Sequence, residues 1–491
     1  MSIGHSVGTA TLDTVRTAKV PEPIPFRQRR WVPAVMFLAD VAAFQLAVYL
    51  GWLTRIGLER WFPDQIGVAQ LQAISGAALL FPVVQALRRA YPSYGTGPVA
   101  RLRERSYATL LFFGALILWD YLAYDGRWSR GVMVIAPVFA LILGPLIEAL
   151  MREVLVRSET WGQPVVILGA ARTGALVTRL LQENRGVGLV PVAFLDDDPA
   201  KQGRVVEGIP VVGDLRECDA WAERVRVAVV AMPGVGRDRL SQIVRDLRFP
   251  HVILVPDLLG LETLWIHARD LGGVLGLEIR KNLMLTRNRV FKRVLDYALG
   301  IPAALVSLPI IGVLALAIKA VSPGPAFFVQ EREGLGGKPI RVWKLRTMYP
   351  DAAERLERYL AENPAAREEW ERYYKLKNDP RVLPVVGSFL RKSSLDELPQ
   401  LWNVLIGEMS LVGPRPFPEY HLRAFSDDFR ALRRRVLPGI TGLWQVSARS
   451  EGDLAVQETL DTYYIRNWSI WLDLYILART VAMVFAGRGA Y

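Results

Sequence analysis

Two adjacent carboxylates, Asp396 and Glu397, lie in a segment rich in basic residues. Adjacent side chains on a helix diverge by about 100°, so one carboxylate can face a phosphorus atom while the other reaches a phosphate-bridging metal. A carboxylate that attacks a phosphoanhydride needs cations nearby, because both reactants are anionic. Arg391, Arg415 and Arg381 suit this task, since a guanidinium contacts phosphate bidentately. An isolated Asp-Glu pair usually lies on a solvated helix face, so the prediction of catalysis depends on the surrounding segments.

Short polar segments punctuated by proline and glycine follow residue 320. Such punctuation indicates loops gathered around a site rather than long packed elements. The segments are 322–325, 330–332, 344–348, 377–381, 391–400, 413–416 and 438–442.

The composition indicates several domains and a membrane part. The chain has 491 residues, of which 51% are hydrophobic, and a mean hydropathy of +0.21. Its net charge of +12 suits nucleic acid, an anionic membrane or phosphorylated substrates, so the location of the charge must decide. Cys218 is the single cysteine, which excludes an intramolecular disulfide framework and a cysteine-based zinc site.

Four apolar runs near the N-terminus each approach the ~20 residues that cross a bilayer. Basic residues precede the first run and follow the second and fourth, so both ends of the bundle are expected in the cytoplasm. We therefore expect a cytoplasmic tail at 1–30 and a four-helix transmembrane bundle at 31–150. Asp40, inside the first run, is either a functional intramembrane acid or a carboxyl hydrogen-bonded near the helix end. The runs are Trp31–Leu53, Ile66–Leu87, Tyr107–Tyr124 and Val132–Leu150.

Residues 160–275 alternate short β-branched runs with amphipathic stretches, which predicts an α/β Rossmann-like domain with a parallel sheet. Its first strand ends in a degraded glycine fingerprint, Gly169–Gly174, and its second in Asp196, near the spacing of a ribose-binding acid. Ala171 replaces the middle glycine and would crowd a pyrophosphate. We expect a structural or regulatory role here and assign no cofactor-binding residue.

A further apolar run, Ala298–Ile318, is long enough to span a membrane but contains two prolines. Basic residues flank both of its ends, so a helix broken near Ser307 and Pro309 that re-enters the same face fits better than a spanning helix. The Ser307 hydroxyl or neighbouring protein should then satisfy the carbonyls that Pro309 frees. An ordinary fifth span with a proline kink is the alternative, because apolar length alone favours it.

The segment from Lys292 to the C-terminus resembles the bacterial sugar transferase domain of large polyprenyl-phosphate hexose-1-phosphate transferases. The resemblance extends over the bundle, the middle domain and a mainly α, monotopic catalytic domain at 285–491 with a re-entrant membrane helix. It is most specific in three motifs: Arg391–Gln400, Gly407–Pro416 and Pro438–Val446.

The resemblance implies roles for individual residues. It makes Asp396 the nucleophile and Glu397 a metal-associated residue, with Arg391 and Arg415 contacting phosphate. Asp461 corresponds to a further family aspartate at the metal. The Ser-Pro pair that breaks the family's membrane helix matches Ser307 and Pro309, although here Leu308 separates the two.

The implied reaction has two steps. Asp396 attacks the phosphate next to the sugar of a UDP-sugar, UDP-galactose or UDP-glucose, and expels UMP. Undecaprenyl phosphate then takes the phosphosugar, which is the first membrane step of O-antigen, capsule or exopolysaccharide synthesis. Mg²⁺ would sit on the diphosphate with Glu397.

The resemblance also implies a location and partners. We expect a homodimer in the bacterial inner membrane, with the catalytic domain on the cytoplasmic face and no nucleic-acid partner. Lys292, Arg293 and Lys319 are candidates to hold the lipid phosphate, and anchoring to anionic headgroups is the equal alternative.

Two other classes of function are weaker. The middle domain could serve a nicotinamide-dependent nucleotide-sugar oxidoreductase or epimerase, through Gly169–Gly174 and Asp196. Alternatively, the bundle and middle domain could form a non-catalytic scaffold for glycan assembly.

Overall fold

The computed structural model describes residues 29–62, 67–88, 90–255, 266–270, 275–279, 282–373, 376, 379–447 and 454–486. The chain divides into two compact units, Met1–Leu259 and Gly260–Tyr491. Of the predicted cytoplasmic tail at 1–30, only the last two positions lie within the described residues.

The first unit begins with long apolar helices. Four stretches, counting α2 and α3 as one, are long and apolar enough to cross a membrane. Phe44, Ile74, Phe113 and Met133 are buried in the core of this bundle. The predicted apolar helices are confirmed. The bounds are α1 (Val32–Gly57), α2 (Val68–Ala78), α3 (Leu80–Leu87), α4 (Pro98–Ala123) and α5 (Arg130–Arg157).

A buried network of charges joins α1, α4 and α5. Asp40 accepts hydrogen bonds from Tyr91 and Arg105. Glu148 on α5 lies 3.8 Å from Arg105 and also pairs with Arg152 one turn later. Asp40 is therefore a hydrogen-bonded carboxyl within the bundle, the second of the two interpretations that the sequence left open.

The middle region is a six-stranded sheet in the order β3-β4-β2-β1-β5-β6, parallel except for the β3–β4 hairpin. Three helices connect its strands, α6 (Arg172–Glu183), α7 (Cys218–Ala222) and α8 (Arg237–Asp246). The predicted parallel sheet is confirmed, and the hairpin was not predicted. The strands are β1 (Gln163–Leu168), β2 (Leu189–Leu195), β3 (Val205–Val206), β4 (Ile209–Gly213), β5 (Val227–Val230) and β6 (His251–Leu254).

The bundle and the sheet are joined through Arg152. Its Nη1 donates to the carbonyl of Gly186, 3.2 Å away and just before β2. Its guanidinium lies 4.0 Å from the ring centre of Trp161, directly before β1. A side chain of the last bundle helix is thus held by the sheet region.

Other residues of the chain occupy the loop of the degraded glycine fingerprint and bond its acidic residue. Asp196 accepts a hydrogen bond from the Ala170 amide at 2.7 Å and from Lys201 Nζ at 3.0 Å. A Cβ added at Gly169 would collide with Met232, so that side chain lies directly against the loop. The acid that would bind a ribose in a dinucleotide site is here engaged inside the fold, which weakens the oxidoreductase hypothesis.

The second unit is mainly helical, and its described residues also form two antiparallel two-stranded hairpins and a short parallel pair. Its elements are β7 (Ile266–Asp270), β8 (Leu275–Ile279), α9 (Thr286–Val321), β9 (Phe327–Glu333), β10 (Pro339–Leu345), α10 (Ala352–Glu362), α11 (Pro364–Tyr373), α12 (Val386–Ser393), α13 (Gln400–Leu405), β11 (Ser410–Val412), α14 (Glu419–Leu422), α15 (Asp427–Arg433), β12 (Gly439–Thr441), α16 (Leu443–Ser447), α17 (Leu454–Asn467) and α18 (Ile470–Ala486).

Helix α9 corrects one expectation. It remains helical over 36 residues, through both prolines, so the predicted interruption of the helix near Ser307 and Pro309 is wrong. Pro309 removes one backbone donor, whose partner would be the carbonyl of residue 305. The Ser307 hydroxyl instead donates to the Ala304 carbonyl at 2.9 Å. The helix therefore accommodates the missing bond without the predicted serine contact.

Candidate active site

Asp396 and Glu397 lie in a short 3-10 turn, Leu395–Glu397, between α12 and α13. Ser394 ends α12 with a φ of 57°, in the left-handed region, which turns the chain sharply before the two carboxylates. Such a backbone conformation costs a non-glycine residue roughly 1–3 kcal/mol and is found preferentially at functional sites. The pair was expected on a regular helix. A 3-10 turn separates adjacent side chains by about 120°, so the expected divergence is preserved.

Glu397 is held between two cations. Lys344 Nζ donates to its Oε1 at 2.7 Å, and Arg415 Nη2 donates to the same oxygen at 2.6 Å. The Glu397 side chain is 13% exposed, so these bonds are largely shielded from water. Burial alone would raise the pKa of Glu397, but the charges of Arg415 and Lys344 outweigh it and hold that pKa well below its usual range. Glu397 is therefore a carboxylate at neutral pH.

Asp396 differs from its neighbour in both contacts and titration. Within the described part of the chain, no hydrogen bond or ion pair within 4 Å reaches its carboxylate. Burial raises the pKa of Asp396 above its ordinary value, and among the nearby charges Lys344 opposes that shift most strongly. A carboxylate without a partner and partly withdrawn from water is a better nucleophile than one engaged in ion pairs.

The position of Lys344 is fixed through strand β10. Asn403 on α13 donates to the Arg341 carbonyl at 2.7 Å and accepts from the Trp343 amide at 3.3 Å. Its side chain thus joins β10 to the helix that follows the carboxylate pair. Lys344, the next residue on that strand, is placed against Glu397 by this connection. Burial lowers the pKa of Lys344, while Glu397 acts in the opposite direction.

The position of Arg415 depends on two glycines. Gly413 follows β11, and its amide donates to the Thr441 carbonyl at 2.9 Å. A Cβ at Gly413 would lie 2.6 Å from the Leu437 carbonyl oxygen, and one at Gly439 would collide with the Gly413 backbone. Two backbone segments approach this closely only because both positions are glycine. The contact sets the direction in which the chain reaches Arg415.

Arg433 supports Arg415 from behind. Its Nη2 donates to the Arg415 carbonyl, and its Nη1 donates to Asp461 Oδ2 at 2.9 Å. Its guanidinium also lies 4.8 Å from the ring centre of Phe417. Burial raises the pKa of Asp461 to about 7, although Arg433 opposes this. Asp461 therefore acts on the site through Arg433 and the backbone of Arg415.

Asp379 brings Arg391 and Arg381 together. Arg381 forms a bidentate pair with Asp379, with distances of 2.7 Å and 2.6 Å. Arg391 Nη1 lies 3.9 Å from the same carboxylate, and its Nε donates to the Thr347 hydroxyl at 3.2 Å. Because Arg391 is 31% exposed and Arg381 is 15% exposed and doubly bonded, Arg391 is the better placed of the two to meet a phosphate.

Lys292 and Arg293 are not brought to this site. Lys292 is buried and donates to Asp473 at 2.7 Å and to the Val412 carbonyl at 2.8 Å. Arg293 donates to the Met409 carbonyl at 2.9 Å. The structure thus corrects the phosphate-binding role expected for both, since their donors attach α9 to the rest of the unit.

The predicted magnesium ligands differ in how well they fit. No group of three or more His, Cys, Asp or Glu side chains that could hold a metal is found among the described residues. Mg²⁺ at phosphate sites commonly takes one or two carboxylates and completes its shell with substrate phosphates and water. Glu397 fits, because its short hydrogen bonds end on Oε1 while Oε2 has a 3.5 Å contact to Arg415. Asp461 does not fit, because it is buried against Arg433.

Sequence reasoning missed three residues that build the site, namely Lys344, Asp379 and Arg433. The first two lie in polar segments that the sequence singled out, at 344–348 and 377–381. Arg433 is the last residue of α15 and begins a run of three arginines. The sequence signal available for such a site residue was a basic residue next to an apolar residue in a strand, as in Lys344-Leu345.

Two family models match parts of this chain. Residues 287–487 match the family model described as bacterial sugar transferase. Residues 95–256 match a model described as a CoA-binding domain. The UDP-D-quinovosamine 4-dehydrogenase structure from Vibrio fischeri is 23% identical and covers 20% of this chain and 83% of its own. Its TM-score of 0.19 is too low to support an inference.

Curated relatives cover most of the chain. The undecaprenyl-phosphate galactose phosphotransferase of Salmonella typhimurium is 34% identical over 78% of this chain and 81% of its own. The UDP-galactose-lipid carrier transferase of Erwinia amylovora is 31% identical with the same coverage. The UDP-glucose:undecaprenyl-phosphate glucose-1-phosphate transferase of Escherichia coli is 36% identical over 56% of this chain and 57% of its own. The chain therefore belongs to the bacterial sugar transferase family.

Proposed function

We propose that this chain transfers a hexose 1-phosphate from a UDP-sugar to undecaprenyl phosphate through a covalent intermediate on Asp396. One observation carries the proposal: the Asp396 carboxylate, which has no hydrogen-bond or ion-pair partner among the described residues, lies next to a second carboxylate that two cations neutralise. The names of the Salmonella typhimurium and Escherichia coli relatives support the substrate classes.

In the first step, an Asp396 oxygen attacks the phosphorus bonded to the sugar. A new phosphorus–oxygen bond forms to Asp396 while the bond to UMP breaks, and UMP leaves with the electron pair. Arg391 and Arg415 face developing negative charge on the phosphates, where guanidinium groups are most effective. In the second step, an oxygen of the lipid phosphate attacks the same phosphorus and releases Asp396 as a free carboxylate.

The second carboxylate keeps the cations in place. Lys344 Nζ and Arg415 Nη2 lie 2.7 Å and 2.6 Å from the same Glu397 oxygen. Without the negative charge of Glu397, these two neighbouring cations would repel each other. Bound Mg²⁺ would neutralise the diphosphate, and Glu397 Oε2 is the atom of this chain that would hold it.

We further propose that α9 dips into the membrane from one face as a continuous helix that bends at its prolines without breaking, with the second unit in the cytoplasm. Near its start, Asp296 accepts from the Ser410 hydroxyl at 2.8 Å. Near its end, Ile318 is buried in a cluster with Leu345 and Leu390. Both ends thus pack on the same unit, while Val306 and Leu308 between them are more than 60% exposed. An exposed apolar middle between two anchored ends suits insertion into lipid from one side. The preceding bundle would place the chain in the inner membrane as a multi-pass protein.

The experiment is a test for the covalent adduct. Purified protein in detergent with Mg²⁺ and either UDP-galactose or UDP-glucose should release UMP and gain the mass of one phosphohexose. Asp396→Asn should abolish both signals, because an amide cannot form the ester. Asp427→Asn is the matched control, since the Asp427 side chain is 98% exposed. Normal turnover by Asp396→Asn, with no adduct on the wild type, would refute the proposal. The donor that gives the adduct identifies the hexose.

A further inference from the structure

An apolar groove of about 550 Å³ runs along the last turns of α9. On one side lie Gly312, Ala315 and Leu316 of the helix, and on the other Ala326 and Phe327 at the start of β9. Leu316 is 70% exposed and Phe327 is 40% exposed, so the groove opens outward. Its volume lies within the roughly 300–1,000 Å³ of sites that bind small ligands.

The groove shares a wall with the catalytic turn. Ala315 and Ala326 line the groove and also pack in the cluster around Ile318. Leu395, the residue directly before Asp396, packs against that cluster as well. A ligand in the groove therefore lies against the same apolar wall as the turn that carries the nucleophile.

Three consecutive residues, Lys344, Leu345 and Arg346, connect the groove to the catalytic site. Lys344 bonds Glu397, whereas Leu345 packs into the shared cluster, as side chains on opposite faces of a strand should. Arg346 donates to the Ser322 carbonyl at 2.7 Å and to the Pro323 carbonyl at 2.9 Å. Buried Arg346 thus fixes the turn that separates α9 from β9 at the end of the groove.

The charge of the groove suits an amphiphile with an anionic head. Lys319, one turn beyond Ala315 on α9, is exposed and contributes an ammonium group to an otherwise apolar lining. An apolar chain buries well against Leu316 and Phe327, and an ammonium group attracts a phosphate near the membrane surface.

We propose that this groove binds the isoprenoid chain of undecaprenyl phosphate next to its phosphate, which Lys319 helps to direct toward Asp396. The proposal rests on the proposed function and adds a place for the acceptor. A phospholipid of the surrounding membrane is the competing occupant.

The test is photolabelling without donor, so that it does not depend on turnover. Full-length protein in detergent is irradiated with undecaprenyl phosphate that carries a photoreactive group in its first isoprene units, and labelled peptides are mapped. Wild type should be labelled between residues 312 and 327. Gly312→Leu should reduce that labelling about tenfold, or about 1.4 kcal/mol, because the new side chain fills the groove. An added Cβ at Gly312 meets no atom within 4 Å, so the new side chain starts in open space beside the groove.

Gly114→Leu is the matched control. Gly114 lies in α4, and a Cβ there also meets nothing within 4 Å, so labelling should remain at the wild-type level. Lys319→Ala should reduce labelling about fivefold and Lys319→Arg should preserve it, as about 1 kcal/mol per basic residue near a phosphate surface predicts.

Donor chemistry separates this proposal from the proposed function. All of these variants should gain the phosphohexose adduct with UDP-sugar at the wild-type rate, which also shows that they fold. Labelling outside residues 312–327, labelling unchanged in Gly312→Leu, or labelling lost equally to excess phospholipid would overturn the groove as the acceptor site. Absence of the adduct from wild type would instead overturn the proposed function.

Discussion

Replacing Lys344 with methionine tests how the site controls its nucleophile. The substitution keeps an unbranched side chain of nearly the same length and removes its charge. Lys344 Nζ lies 2.7 Å from Glu397 Oε1 and is foremost among the charges that hold down the pKa of Asp396 against the effect of burial. Lys344→Met should therefore raise the pKa of Asp396 further. Because only the ionised carboxylate attacks phosphorus, activity should be confined to a higher pH range.

The size of the shift follows from the charge that the substitution removes. An opposite charge within about 4–6 Å changes a carboxyl pKa by about 1–3 units, and each unit corresponds to about 1.36 kcal/mol. Since Arg415 and Arg391 remain near Asp396, we expect the acid limb of adduct formation to move upward by about one to two units. Below that limb, adduct formation should slow about ten- to a hundredfold. At pH values above that limb, a smaller loss in the rate of adduct formation should reflect any direct contact of Lys344 with phosphate.

The assay is single-turnover adduct formation with UDP-sugar, followed by intact mass from about pH 5 to about pH 9. Lys338→Met is the control, because Lys338 is exposed and directly precedes the same strand. An acid limb at the wild-type pH in Lys344→Met would refute the electrostatic role. Equal loss of activity in both variants at every pH would refute the electrostatic role as well.

Two further predictions concern stability. The folded-state pKa of Asp461 is about 7, above its ordinary 3.8, so the folded chain holds a proton that the unfolded chain releases. Wild type should therefore lose stability relative to Asp461→Asn as pH rises from about 4 to about 7, and melting temperatures that change in parallel would contradict this. In the bundle, Glu148→Gln should lower the free energy of unfolding by about 3 kcal/mol, because buried arginines lose this carboxylate partner. Glu153→Gln, in a pair exposed by 79% and 56%, should cost under about 0.5 kcal/mol in the same thermal unfolding assay. Equal costs would show that burial does not decide the difference.

Local pattern predicted the residues that lie close together in the chain. Asp396, Glu397 and Arg391 fall within seven positions, and a short turn after α12 brings them together. Arg415 was found because it lies in a segment punctuated by glycine and proline, and the structure shows that the glycine of this segment, Gly413, approaches another backbone closely. Long apolar runs likewise predicted the bundle helices, since length and hydropathy are sufficient for that inference.

Partners distant in sequence could not be predicted in the same way. Lys344 lies 53 residues from Glu397, and nothing in its own segment shows which carboxylate it meets. Lys292 was placed at the lipid because it flanks an apolar run. It lies instead on the face of α9 that also carries buried Asp296 and Gly300, at intervals of four residues. Proline likewise predicts the loss of one hydrogen bond, whereas the surrounding helix decides whether the chain breaks there.

The contacts of Arg152 bear on how the chain matures as it is synthesised. Its partner Glu148 precedes it, but Trp161 and Gly186 emerge from the ribosome only later. Until then, the guanidinium near the end of the last bundle helix is held by Glu148 and by the Ser93 hydroxyl at 3.2 Å, and it lacks its two contacts with the sheet region. Folding of the four apolar stretches and folding of the sheet are therefore successive stages of one assembly, and truncation shortly after residue 157 should leave a bundle that quality-control proteases remove.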